Sequence, residues 1–263
     1  MSRSPGIASA PNLRDVGGYL TVNGGGVRLG VLFRSTALNR LEGDDAVAFS
    51  QLGIRAVYDL RTLAERAAEP DRLPPDTDYF VADVIGDETV GSPAHMSEML
   101  TSPEAAREHL GDGRGYAMWT RHYRDFVLLD SARAAYGRLY SDLAIDAHRP
   151  ALIHCSTGKD RTGWAAAAVL LFLGVPYEAV LEDFLLSNAY LQPLFRPLIE
   201  QFAARGGDPE LLRPITSVVA AYLDAALDEV RHSFGGIEGY FADGLGINAV
   251  TRQALREAFL DEG

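Results

Sequence analysis

The sequence predicts an α/β fold in which a mostly parallel central sheet is flanked by helices and followed by a helical C-terminal extension. Up to residue 174, apolar segments typical of buried strands alternate with segments of helical periodicity, a pattern that favours parallel strands with helices on both faces. After Pro176 the strand signals stop and only helical patterns follow. We expect residues 1–263 to form a single domain, with residues 177–245 as a helical lid.

The individual elements follow from composition and spacing. Strands are predicted over residues 26–34, 55–60, 79–84 and 150–154, which are rich in apolar and β-branched residues. Apolar spacing of three and four predicts helices over residues 44–52, 62–68, 116–143 and 162–174. Residues 86–115 are rich in Gly, Ser and Pro and are predicted to be a long loop with at most one helical piece. Further helices are predicted over residues 177–191, 194–204, 209–234, 237–244 and 248–260.

The composition argues against several broad classes of protein. A formal net charge of −12 disfavours general nucleic-acid binding, which needs a basic surface. The first ten residues lack the apolar segment of a signal peptide. The longest apolar stretch, residues 164–175, is shorter than the roughly 20 residues that span a bilayer. We therefore expect a cytoplasmic protein with no integral membrane segment, and export by a route without a cleavable signal stays open.

The stretch HCSTGKDRTG at residues 154–163, here called the signature loop, concentrates the unusual residues of the chain. It holds the only cysteine, Cys155, and the only lysine, Lys159, of a chain with 24 basic residues. A predicted strand precedes it and a predicted helix follows, so its backbone N–H groups converge near a helix N-terminus and suit an oxyanion. The same environment favours a reactive thiolate at Cys155. Arg161 offers a planar fork that matches two phosphate oxygens, so we expect attack by sulfur on a phosphoryl group.

Several neighbouring residues have both a structural and a chemical interpretation. His154 is expected to support the loop by hydrogen bonding, and Thr162 is expected to donate its hydroxyl toward the sulfur. Lys159 is either a compact cation of the site or a solvated loop charge. Three charged residues either form ion pairs that stabilise the sheet or contact the substrate: Arg14, Asp15 and Arg34.

The signature loop resembles that of the cysteine-dependent protein tyrosine phosphatases, and it is most similar to the bacterial and fungal branch of this family. Four more segments resemble blocks of the same branch: NLRDVGGY, LFRSTAL, YDLRTLAERAAEPDRLP and YLDAALDEVRHSFGGIEGYFADGLG. The resemblance therefore covers most of the chain. It implies a tyrosine-phosphatase-like fold and a phosphatase for phosphotyrosine, with phosphoserine, phosphothreonine or phosphoinositides as further substrates. It also implies a reaction without metal or cofactor.

The resemblance assigns roles to the residues of the loop. Cys155 is implied to be the nucleophile that forms a cysteinyl-phosphate, and Arg161 is implied to bind the phosphate. Lys159 is associated in the family with tolerance of phosphoinositides. The residues whose backbone or side chains are implied to cradle the phosphate are Ser156, Thr157, Gly158, Lys159, Asp160 and Arg161.

The general acid is open between two aspartates. The Trp-Pro-Asp tripeptide that supplies the acid in better-known tyrosine phosphatases is absent from this sequence. The branch that the chain resembles points to Asp160 in the signature loop itself. Asp83 is the alternative, because it ends a predicted strand and the carboxyl ends of parallel strands face the ligand crevice. Asp59 has a similar position, but we expect it to form a structural pair with Arg61.

Other function classes fit the residues less well. A nucleotide-binding Walker loop needs Ser or Thr directly after Gly-Lys, whereas Asp160 follows Lys159 here. An arsenate reductase needs a resolving cysteine, which a single-cysteine chain lacks, and the flanking blocks do not fit a sulfurtransferase. The histidines lack metal-ligand spacing, so no metal site is expected. A catalytically silent phosphate-binding or adaptor module is the remaining alternative, against which the intact Cys155 and Arg161 argue.

Overall fold

The computed structural model describes residues 3–87 and 98–261. It confirms the predicted α/β fold, because a mostly parallel sheet lies between helices. The strands are β1 Arg14–Asp15, β2 Leu32–Ser35, β3 Ala56–Asp59, β4 Asp78–Val81 and β5 Ala151–His154. Their order across the sheet is β1-β2-β5-β3-β4. The β1–β2 pair is antiparallel and the other pairs are parallel.

The helices lie on both sides of this sheet and beyond it. In chain order they are α1 Gly43–Ser50, α2 Leu63–Ala68, α3 Pro103–Leu110, α4 Arg114–Leu128, α5 Asp130–Leu143, α6 Arg161–Phe172, α7 Tyr177–Ala204, α8 Ala220–Phe234 and α9 Ala249–Phe259. Short helical turns occur at Asp146–His148, Pro209–Leu212, Arg213–Thr216 and Ile237–Gly239, and a π-helical turn at Tyr240–Gly244.

The central strand β5 positions the signature loop. All four of its residues are fully buried, because β2 and β3 pair with it on either side and helices cover both faces. A short, wholly apolar run ending in His154 is what a strand in the middle of a parallel sheet requires. The loop that follows β5 therefore leaves the sheet at its centre and leads directly into α6.

The predicted strand over residues 26–34 is wrong in its first half. Gly30 adopts a positive φ of 75°, and its backbone N–H donates to Asp15 Oδ2 at 2.6 Å. The chain therefore turns at Gly30 and enters the sheet only at Leu32. An isolated glycine inside a strand pattern marked this bend.

Several predicted helix boundaries also differ from the structure. The single helix predicted over residues 116–143 is two helices, since Leu129 is extended with ψ of 138° between α4 and α5. The opposite error occurs in α7, which is continuous through Pro193 and Pro197 where two helices were predicted. Residues 209–234 contain two short turns and α8, because Val219 is extended at the α8 N-terminus. The predicted long loop contains α3, which Ser102 caps, and its residues 88–97 lie outside the described residues.

The helices after Pro176 share one hydrophobic core with the sheet. Leu223, Tyr240 and Leu255 are fully buried in the same cluster as the β5 residue Ile153 and the α6 residue Trp164. Within the described parts of the chain, no helix is both long and apolar enough to cross a membrane.

Candidate active site

The signature loop lies at the carboxyl end of the central strand. Ser35 at the end of β2 and Asp59 at the end of β3 are both in register with His154, so two neighbouring strands end beside the loop. In open α/β sheets this edge is where ligands bind. Cys155 begins the loop with only 2% of its surface exposed. A group that reaches its sulfur must therefore be inserted deep into the site.

In the backbone of the signature loop, several N–H groups have no acceptor among the described residues, whereas carbonyl groups accept hydrogen bonds. Among the described residues, none accepts a hydrogen bond from the N–H groups of residues 156–160. By contrast, the Ser156 carbonyl accepts from the Ala37 amide at 3.1 Å. Gly158 has a φ of +66°, and a Cβ at this position would lie 2.1 Å from the Ser35 carbonyl oxygen, so only glycine fits. Such a row of unpaired N–H groups is a ready site for an oxyanion.

Arg161 begins α6, and its guanidinium is held by a carboxylate that the sequence analysis missed. Its Nη1 and Nη2 donate to Oε2 and Oε1 of Glu65 at 2.7 and 2.6 Å, and Ser156 Oγ donates to Glu65 Oε1 at 2.5 Å. Burial alone raises the pKa of Glu65, but these hydrogen bonds and the charge of Arg161 lower it to about 2. Burial alone lowers the pKa of Arg161, but hydrogen bonding to Glu65 and the charge of Cys155 raise it.

The start of α2 positions Glu65. The Glu65 amide donates to Thr62 Oγ1, and the Thr62 amide donates to Glu65 Oε2 at 2.9 Å, which is a capping box. The Thr-x-x-Glu spacing at residues 62–65 signals such a box in the sequence. That signal predicts a helix start, but it does not reveal that the same carboxylate also reaches Arg161.

Lys159 is buried, so its interpretation as a solvated loop charge is wrong. Only 2% of its surface is exposed, and its Nζ donates to Asp160 Oδ1 and Oδ2 at 2.9 and 2.7 Å. The ammonium also lies 5.6 Å from the centre of the Trp119 ring. Tyr123 donates its hydroxyl to Asp160 Oδ1 at 3.1 Å. Burial, followed by the charge of Asp160, raises the pKa of Tyr123, so this hydroxyl remains a donor.

Asp83 lies just beyond β4 and is half-buried. Its Oδ1 accepts a hydrogen bond from the Ile85 amide at 3.2 Å. Burial raises the pKa of Asp83, while the Ile85 hydrogen bond and the charges of Arg161 and Arg66 act in the opposite direction. Asp83 is therefore within electrostatic reach of Arg161, at the same edge of the sheet as the signature loop.

His154 belongs to a buried charged cluster behind β3 and β5. Its Nδ1 lies 3.3 Å from the Cys155 carbonyl oxygen, and its Nε2 lies 3.2 Å from Asp71 Oδ2. The predicted pair of Asp59 with Arg61 is present, with Arg61 Nη2 2.7 Å from Asp59 Oδ2 and 2.6 Å from Asp71 Oδ2. Ligand atoms of Asp59, Asp71 and His154 approach one another within 4.8 Å. Arg61 Nη2 donates to the same carboxylate oxygens, Asp59 Oδ2 and Asp71 Oδ2, that a metal ion would need as ligands.

The remaining predicted residues lie inside the protein. Thr162 is fully buried, and its Oγ1 has no hydrogen-bond partner among the described residues. Arg14 and Arg34 are fully buried and pair with Asp183, while Asp15 accepts from the amides of Gly17 and Gly30. Arg14 and Arg34 thus form the predicted ion pairs, whereas Asp15 is held by backbone amides rather than by an ion pair.

Comparison with known proteins gives a consistent result. A family model described as the tyrosine phosphatase family matches residues 5–261. The triple specificity protein phosphatase PtpB of Mycobacterium tuberculosis is 31% identical over 279 residues, covering 97% of this chain and 98% of that protein. A putative tyrosine-protein phosphatase of Cupriavidus necator is 28% identical over 90% of this chain and 82% of its own length. A tyrosine-protein phosphatase of Nostoc commune is 28% identical over 85% of this chain and 72% of its own.

The family model covers the sheet, the signature loop and the C-terminal helices together. The resemblance that the signature loop suggests is therefore confirmed over nearly the full chain. This chain belongs to the tyrosine phosphatase family and is a protein-tyrosine phosphatase.

Proposed function

We propose that this protein hydrolyses phosphomonoesters through a covalent cysteinyl-phosphate on Cys155. The observation that carries the proposal is the row of N–H groups at residues 156–160, for which the described part of the chain offers no acceptor, next to Cys155 and followed by the guanidinium of Arg161. These donors match the three oxygens of a phosphoryl group, and their fixed orientation stabilises charge that develops on it. A thiolate at the start of such a loop is a nucleophile that needs no metal.

The proposed reaction has two displacements at phosphorus. In the first, the Cys155 sulfur forms a bond to phosphorus while the bond to the ester oxygen breaks, and that oxygen leaves with a proton from a general acid. In the second, a water oxygen forms the new bond to phosphorus while the deprotonated general acid takes one of the water's protons, and the bond from phosphorus to sulfur breaks, so that the sulfur leaves as a thiolate and phosphate is released. Thr162 is suited to donate its unpartnered hydroxyl toward the departing sulfur. Arg161 balances the charge of the phosphoryl group throughout, and Glu65 orients its guanidinium.

The hydrogen bonds of Asp160 and the raised pKa of Asp83 support Asp83 over Asp160 as the general acid. Both oxygens of Asp160 accept hydrogen bonds from Lys159, and Oδ1 also accepts from Tyr123, so a proton on this carboxyl would displace one of these contacts. Asp83 has a pKa raised by burial, which favours the protonated form that a donor requires. Asp160 then serves to hold Lys159 beside the site.

The substrate class follows from the depth of the site and from its charge. Cys155 is 2% exposed, which favours a phosphate carried at the end of a long, flat group such as phosphotyrosine. The relative from Mycobacterium tuberculosis is named a triple specificity protein phosphatase, which supports phosphoserine and phosphothreonine as further substrates. Lys159 supports phosphoinositides, provided that a second phosphate can compete with Asp160 for its ammonium.

Residues 177–245 are proposed to cover the site within a single domain. Two aromatic residues of this segment pack on Tyr123, whose hydroxyl reaches Asp160: Phe184 edge-on at 5.8 Å and Tyr222 stacked at 5.4 Å between ring centres. Gly163 of α6 also lies against Phe184. The segment therefore contacts the signature loop directly through α7, whereas α8 packs on Tyr123, whose hydroxyl donates to Asp160.

The test is hydrolysis of para-nitrophenyl phosphate by the wild type and by Cys155→Ser, each checked for folding by circular dichroism. We expect turnover by the wild type and its loss in Cys155→Ser, which keeps the anion site but has a poor nucleophile. Binding of inorganic phosphate by folded Cys155→Ser is the control that separates a lost nucleophile from a lost site. A wild type that binds phosphate without turnover would instead indicate the silent binding module.

A further inference from the structure

Behind the signature loop lies a buried ion cluster that the reaction does not use. Asp183 of α7 accepts from Arg14 Nε at 3.0 Å and from Arg34 Nη1 at 2.9 Å. The exposed fraction of these side chains is 2% for Asp183, 0% for Arg14 and 1% for Arg34. Ion pairs with so little solvent are strongly destabilised when one partner is lost, because the other remains buried and unpaired.

Two hydrogen-bonded chains lead from Asp183 to the back of the loop. Along the first, Arg34 pairs with Asp183 through Nη1 and donates from Nη2 to the Gly158 carbonyl at 2.8 Å. Along the second, Arg14 Nη1 donates to Asn12 Oδ1 at 2.5 Å. The Asn12 amide group then donates from Nδ2 to the carbonyls of Thr157 and Gly158 at 3.1 and 3.0 Å.

The side-chain amide of Asn12 has only one orientation that satisfies these partners. The guanidinium of Arg14 has donors and no acceptor, so it must face the oxygen of Asn12. The nitrogen of Asn12 must therefore face the two loop carbonyls, which are acceptors. Asn12 thus accepts a hydrogen bond from Arg14 through Oδ1 and donates hydrogen bonds to the two loop carbonyls through Nδ2.

The planarity of the peptide bond transmits this arrangement to the front of the loop. In a trans peptide the carbonyl of one residue and the N–H of the next point in opposite directions. Holding the carbonyls of Thr157 and Gly158 at the back directs the N–H groups of Gly158 and Lys159 to the opposite side, where no described residue accepts from them. The charges add to this effect, since three arginines, Arg3, Arg14 and Arg34, pair with one aspartate and leave a net positive charge beneath the loop.

We propose that Asn12, Arg34 and Asp183 are positioning residues that turn the carbonyls of Thr157 and Gly158 away from the anion site and thereby aim the amides of Gly158 and Lys159 into it. Asp183 acts through the two arginines, and the helix that carries it, α7, is thereby tied to the loop. This inference rests on the proposed function, because it assigns these amides to a phosphoryl group.

The test is direct binding of inorganic phosphate, measured by isothermal titration calorimetry on Asn12→Asp, Asp183→Asn and the wild type. Asn12→Asp keeps the size of the side chain but removes the two donors, and we expect phosphate binding about tenfold or more weaker. Asp183→Asn removes the negative charge that pairs with both Arg14 and Arg34, and we expect phosphate affinity to fall by a similar factor. The calorimetric stoichiometry reports the fraction of protein that is folded. The dissociation constant reports how well the amides of the folded protein are oriented toward phosphate, and general destabilisation would leave this constant unchanged.

Asp15→Asn is the matched control. It neutralises a buried aspartate of the same N-terminal segment that contacts the amides of Gly17 and Gly30 but not the loop, and we expect phosphate binding like that of the wild type. Wild-type affinity in folded Asn12→Asp or Asp183→Asn would overturn the inference, as would an equal loss in Asp15→Asn. The proposed function fails separately, if the wild type binds phosphate but does not turn over para-nitrophenyl phosphate.

Discussion

The two sides of the signature loop are built with ion pairs of different exposure. On the substrate side, Arg161 and Glu65 have side chains that are 12% and 23% exposed. On the interior side, Arg34 and Asp183 are 1% and 2% exposed. We propose that the buried interior pairs hold the shape of the loop, whereas the partly exposed pair of Arg161 with Glu65 can exchange partners with an incoming phosphate.

The largest effect is expected at the front, from Arg161→Lys. Lysine keeps the positive charge but loses the planar fork that binds Glu65 and phosphate. We expect kcat/KM for para-nitrophenyl phosphate to fall by roughly 100- to 1,000-fold. Arg66→Lys is the control, since Arg66 donates to the Arg61 carbonyl and lies outside the proposed binding set. A decrease below about tenfold in Arg161→Lys would contradict the role of the fork.

The next effect distinguishes the two candidate acids. We expect Asp83→Asn to lower kcat by roughly 100-fold on an alkyl phosphate, whose oxygen leaves poorly without a proton, and less on para-nitrophenyl phosphate. Asp160→Asn should lower both rates by a similar factor, because it releases Lys159 and Tyr123 from their shared carboxylate. The same leaving-group dependence in Asp160→Asn, with none in Asp83→Asn, would assign the acid to Asp160.

A smaller effect on stability is expected from Glu65→Gln. The pKa of Glu65 is about 2 in the folded protein, below its ordinary value of 4.5, so its ion pair stabilises the protein above about pH 4.5. This contribution is lost as the pH falls from 4.5 toward about 2. We expect Glu65→Gln to lower the free energy of unfolding by roughly 2 kcal/mol at neutral pH. Urea unfolding should show the difference from the wild type shrinking below pH 4.5, and a pH-independent difference would contradict the assignment.

The smallest effect concerns the proposed lid and requires no substitution. Asp183 ties the first half of α7 to the interior, and α8 buries Tyr222 and Leu223, so these parts should exchange amide hydrogens as slowly as the core. Any opening should be confined to residues 193–217, where Pro193 and Pro197 interrupt the helical hydrogen bonds of α7. We expect inorganic phosphate to slow exchange there. Core-like exchange throughout residues 186–240 that ignores phosphate would contradict a lid.

Local patterns in the sequence were sufficient to predict the strand, the loop and the helix around Cys155. The buried run Ala151–His154 and the Gly-rich loop with Arg161 each have a strong local signal, and both are confirmed as structural elements. Helix boundaries at Leu129 and Pro193 were predicted less well. There, packing against the core overrides propensity, as in the continuous α7 with its internal prolines.

The residues that support the loop could not be predicted, because they are distant in the sequence. Glu65 lies 96 positions from Arg161, and Asp183 lies 169 positions from Arg14. Their only local signals are a capping box and an acidic residue within a helical pattern, and neither signal specifies a partner. Only the fold shows that Asn12, Arg34 and Asp183 meet behind Gly158.

The most direct test of the central claim is to trap the intermediate. The wild type would be mixed with a radiolabelled phosphotyrosine peptide, quenched during turnover with denaturant at alkaline pH and digested at alkaline pH, and the labelled fragment identified by mass spectrometry. The proposed mechanism predicts a phosphate adduct on Cys155 that is absent from Cys155→Ser. Turnover that leaves no adduct on Cys155 and persists in Cys155→Ser would contradict it.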